Sequence, residues 1–73
     1  MTQYKNAVDV ARSLVEDYGS DISGETIEDR IEFWIRVGLL PDMYDEEFGE
    51  FFGAVSDEIE SELERIGFEA YRG

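Results

Sequence analysis

From Tyr44 to Ile66 an apolar residue returns at every third or fourth position: Tyr44, Phe48, Phe51, Phe52, Val55, Ile59, Leu63 and Ile66. That period gathers them on one side of an α-helix; a strand would need strict alternation, and no useful run of the chain alternates. The same period marks two earlier segments. Ala7, Val8, Ala11, Leu14, Val15 and Tyr18 predict a helix over 6–18, with Asn6 as N-cap and Gly19 as its end. Ile27, Ile31, Trp34 and Ile35 predict a second over 25–38, opened by Ser23 or Gly24 and stopped by Gly38 and Pro41. The expected fold is all-α: a small bundle of three to four short helices in a single acidic domain spanning residues 1–73. The count turns on 42–66. Gly49 and Gly53 each cost about 1 kcal/mol inside a helix, so this stretch reads either as one long helix or as two, with Ser56 capping the later one. Gly67 is expected to close it and Phe68 and Tyr71 to fold back as a tail.

Phe33 and Val37 lie off the stripe of the second helix, which is therefore expected to be the central element or a subunit contact. Ile31, Trp34 and Ile35 are its candidate core or dimer-contact residues. At 73 residues a single core supplies only a few kcal/mol, so a homodimer or a partner is expected to add to it.

Cysteine and histidine are both absent. Without cysteine there is no disulfide framework and no thiolate metal site, which favours a cytoplasmic setting, the host's cytoplasm if the chain is phage-encoded. Without histidine the commonest general base and metal ligand are missing together, and the serines have nothing to activate them. Asp42, Asp45, Glu46, Glu47 and Glu50 do not follow the ligand order of a calcium-binding loop. No enzyme, cofactor or specific metal site is expected. Met1 to Asn6 is followed by no leader-like apolar run, and no stretch approaches 18 uninterrupted apolar residues, so neither a leader nor a membrane span is expected.

What remains is charge. Of 19 Asp and Glu against 6 Lys and Arg, 11 of the acids fall between Asp42 and Gly73, opposed there by Arg65 and Arg72 alone. Glu46, Glu47, Glu50, Asp57, Glu58, Glu60, Glu62 and Glu64 interleave with the apolar stripe and are expected to point away from it. Such a display attracts a basic surface and repels nucleic acid itself. The leading expectation is a non-enzymatic acidic inhibitor of a basic partner protein, blocking a nucleic-acid-binding surface as DNA mimics and anti-CRISPR proteins of phage do. Its candidate face is Glu46, Glu47, Glu50, Asp57, Glu58 and Glu64. A solvated face on an acidic scaffold protein of a salt-adapted organism is the bland alternative.

Residues 7–40, AVDVARSLVEDYGSDISGETIEDRIEFWIRVGLL, resemble the paired helices of ribbon-helix-helix proteins, and IEFWIRVG is similar to the second helix of ParD-like antitoxins. The resemblance implies a dimer built through Ile31, Trp34 and Ile35, with Asp42 to Gly73 as an extension that wraps a toxin. Where that family reads DNA with an N-terminal strand, this chain has only MTQYKN, so the resemblance implies protein binding kept and DNA reading lost. Nothing in the C-terminal half shares it.

Overall fold

The computed structural model describes the backbone of residues 4–72 and the side chains of 4–67. Three helices follow one another: α1 (Ala7–Tyr18), α2 (Gly24–Arg36) and α3 (Asp45–Arg72), with no strand among the described residues. The chain is thus a small all-α bundle.

Each boundary has a local cause. The Asn6 side chain accepts from the Asp9 N–H at 3.0 Å, while the Asn6 N–H donates to the Asp9 carboxylate at 3.2 Å, satisfying two otherwise unpaired donors at the start of α1. Gly19 ends that helix at φ +63°, and its N–H donates to the Val15 carbonyl at 2.8 Å. Ser23 Oγ accepts from the Thr26 N–H and opens α2. At the far end Gly38, at φ +86°, turns the chain so that the N–H groups of Leu39 and Leu40 both reach the Trp34 carbonyl. Leu40 then enters the core, and the Leu39 carbonyl accepts from the Lys5 N–H at 2.9 Å, tying the segment before α1 to this corner.

The core is formed by Val10, Ala11, Leu14 and Val15 of α1, Ile27 and Ile31 of α2, Leu40 of the corner, and Val55 and Ile59 of α3. Trp34, Ile35, Met43, Phe48, Phe51, Phe52 and Leu63 pack around it, half-buried. Ile31 therefore lies inside the core, with Trp34 and Ile35 at its edge.

Of the two readings of 42–66 the single long helix is the one found, since α3 runs unbroken through Gly49, Gly53 and Ser56. Several other expectations need correction. Gly67 does not close α3: the backbone stays helical to Arg72 and does not fold back. The side chains of Phe68 and Tyr71 lie outside the described residues. α2 is not the central element: the most extensive packing is between α1 and α3, and α1 supplies more of the buried core than either other helix, in Val10, Ala11, Leu14 and Val15. Phe33 and Val37 remain half exposed, on a face of α2 turned away from the core. Tyr44 and Ile66 begin and end the expected stripe, yet both are exposed. Tyr44 precedes the helix, its carbonyl accepting from Phe48 N–H at 2.8 Å. Ile66 is uncovered for a matter of length: α1 has 12 residues and spans about 18 Å, whereas the 28 residues of α3 span about 42 Å. That long helix sets the 41 Å dimension of a molecule only 27 and 17 Å across the other two axes.

Candidate partner-binding face

Because α3 is continuous, each residue advances 100° around a single axis and the position of every carboxylate follows. Glu46, Glu50, Asp57, Glu60 and Glu64 fall within an arc of about 80° opposite the buried stripe, and all five are exposed. Glu46 to Glu64 covers about 27 Å of axis at 1.5 Å per residue. Glu47 and Glu58 sit on one flank, about a quarter turn or more away, and Glu58 is half-buried. Of the six residues expected to form the face, four thus share the outer stripe and two flank it. Glu60 completes the stripe; the spacing 46, 50, 57, 60, 64 carried that signal once an unbroken helix was assumed.

None of the five outward carboxylates has an ion-pair partner among the described residues. Three of the arginines are engaged elsewhere. Arg30 of α2 donates to Ser13 Oγ at 2.6 Å and to Asp17 Oδ2 at 2.7 Å, and its guanidinium stands over the Tyr18 ring, 5.8 Å from the centroid. This clamps α2 to α1. Burial works against the Arg30 charge, but Asp17 and Tyr18 outweigh it and hold the guanidinium above its usual pKa. Arg12 and Arg65 both turn to Glu62.

Glu62 overturns the expectation that it points away from the apolar stripe with the other seven acids interleaved there. It is 8% exposed, accepting from Arg12 Nε at 3.3 Å and from Arg65 Nη2 at 2.8 Å. The reason is spacing: Val55, Ile59 and Glu62 step by four and three, so Glu62 lies on the stripe that faces α1. The Arg65 bond holds its carboxyl below the usual range, against partial burial that pushes it up, and Arg12 adds to the lowering. A carboxyl whose folded pKa lies below its unfolded value, about 4.3, contributes stability that is present above that value and lost as pH falls through the folded pKa. Glu62→Gln should therefore lower the urea midpoint at pH 7, and the gap to the unsubstituted chain should close below about pH 4. A gap that persists undiminished to pH 2.5 would show that the pairs are not its source.

No three acidic groups among the described residues converge closely enough to hold a metal ion, and no helix among them is long and apolar enough to cross a membrane. Comparison with family models, curated proteins and solved structures finds no match to this chain.

Proposed function

We propose that this chain is a non-enzymatic binding protein whose α3 carboxylate stripe occupies a basic surface on a partner protein, and that the surface is one built for nucleic acid. The observation that carries the reading is the separation of inward and outward acid on one unbroken helix. Glu62, inside, is neutralised by Arg12 and Arg65; Glu46, Glu50, Asp57, Glu60 and Glu64, outside, have no ion-pair partner among the described residues. With Glu47 and Glu58 the display reaches about one carboxylate per 4 Å of axis, near the 3.4 Å per phosphate of a single DNA strand. A groove that accepts phosphates at that density can accept this helix, and its field would speed the encounter.

The test compares the native chain with a variant in which Glu46, Glu50, Glu60 and Glu64 become Gln and Asp57 becomes Asn. A host protein captured by the native chain should release a bound DNA fragment when the chain is added, and the variant should need at least tenfold more to do so. Equal competition by both would remove the stripe from the interaction. Retardation of DNA by the chain itself would favour the antitoxin-like reading. A chain that folds only in molar salt would make the acid an adaptation to salinity.

A further inference from the structure

Beside the first turn of α3, two open grooves meet at Met43. One, of about 360 Å³, runs between α2 and α3 and has Ile35, Met43 and Phe48 as its floor, with Glu28, Glu32 and Asp45 at its rim. The other, also about 360 Å³, is lined by Pro41, Met43 and Phe51 and carries Glu47 and Glu50. Every ionisable group lining either groove is a carboxylate. Tyr44, between Met43 and Asp45, is 83% exposed, the most exposed large apolar side chain among the described residues. The corner thus combines two features absent from the outer stripe, a partly apolar floor and a free aromatic ring.

That combination selects an occupant. A purely apolar ligand would leave five carboxylates facing it, and a bare cation would gain nothing from Ile35, Met43, Phe48 and Phe51. Lysine and arginine side chains match both parts, because the stem lies along apolar surface while the charged head stays at its polar edge. An exposed tyrosine ring adds a face for a cation. The positive end of the α3 dipole, worth about half a charge, opposes a cation here, but Asp45, Glu46 and Glu47 in the first turn outweigh it. A second copy of this chain is a poor occupant, since its net charge of −13 meets the same sign.

We infer that this corner anchors a basic amphipathic segment of the partner protein, one arginine or lysine stem lying on Ile35, Met43 and Phe48 with its head among Glu28, Glu32 and Asp45, and a neighbouring side chain entering the Met43–Phe51 groove. The inference rests on the reading of α3 as a binding helix and assigns the partner its specific contact: the stripe supplies attraction at a distance, and the corner supplies the apolar burial that resists salt.

Two synthetic peptides of equal positive charge separate these roles: a helical leucine–lysine amphipath and an oligolysine, each titrated into the full isotope-labelled chain and followed by NMR. At 150 mM salt the amphipath should bind at least tenfold tighter than oligolysine and shift the Met43 methyl and the amides of Ile35 and Phe48. Met43→Asp, and independently the exposed Glu32→Lys, should remove most of that advantage while leaving oligolysine binding within about twofold. Equal affinities, shifts confined to the outer stripe, or a Met43 signal that moves with chain concentration because copies pair there would overturn the inference. Neutralising Glu46, Asp57, Glu60 and Glu64, which line neither groove, reports separately: if it leaves oligolysine binding unchanged while the amphipath still shifts Met43, the stripe reading fails and the corner stands.

Discussion

Leu14→Ala should bring the protein to the edge of unfolding, with an expected loss of about 3–5 kcal/mol by urea denaturation at 25 °C. Leu14 is fully buried and lies on α1, the helix that supplies more buried core residues than either of the others. Removing its isobutyl group takes away the transfer free energy and leaves a cavity that closes only if neighbouring helices shift. A 73-residue domain holds roughly 4–11 kcal/mol in total, at 0.05–0.15 kcal/mol per residue, so the loss is a large part of what exists. Phe33→Ala, on a half-exposed face, should cost far less and serves as the control. If Leu14→Ala lost under 1 kcal/mol, α1 could not be the element that organises this core.

Why α1 takes that place was hard to read from residue types alone. α2 carries the larger apolar side chains, Ile27, Ile31, Phe33, Trp34 and Ile35, with Val37 at its C-cap, and a pattern argument ranks it first. α1 has smaller residues, but Ala7 and Ala11 are among them, and side chains of that size let a helix axis come close to its neighbour; Ala11 is completely buried. The caps were legible because they are local. Asn6, Gly19, Ser23 and Gly38 act on backbone groups within four residues of themselves, and each stands where the pattern puts it. Glu62 was misplaced because charge outranked position: the step from Val55 and Ile59 pointed inward, and the pairs with Arg65 and the distant Arg12 make that orientation tolerable. The outer stripe was legible as a set of acids but not as a geometry. Its alignment requires an unbroken α3, and the chain offered two glycines and a serine as arguments for a break.

Replacing those glycines together, Gly49→Ala and Gly53→Ala, should stabilise the chain by about 1–2 kcal/mol, which follows from what keeps α3 continuous. Two glycines cost roughly 1 kcal/mol each against alanine, yet between and around them Phe48, Phe51, Phe52 and Val55 bury apolar surface, and burying such a side chain fully is worth about 1.5–3 kcal/mol. Packing therefore outweighs propensity, and the propensity cost stays recoverable. Nothing lies within 4 Å of where a Cβ would stand at either glycine, and neither has a positive φ, so alanine meets no clash and no backbone strain. Among the described residues no other helix comes within 4 Å of a Cβ at Gly49 or Gly53, so the pair serves no close helix packing there. A gain in urea midpoint, with far-UV circular dichroism unchanged or slightly more helical, is the expected result. A loss of stability would mean that the helix bends or breaks at these positions in solution, and the carboxylates would then no longer share one stripe. The same variant bears on binding, because Gly53 lies between Glu50 and Asp57 on the outer face. If a partner recognises the stripe through its charges, two added methyl groups should leave affinity within about threefold while the fold becomes more stable.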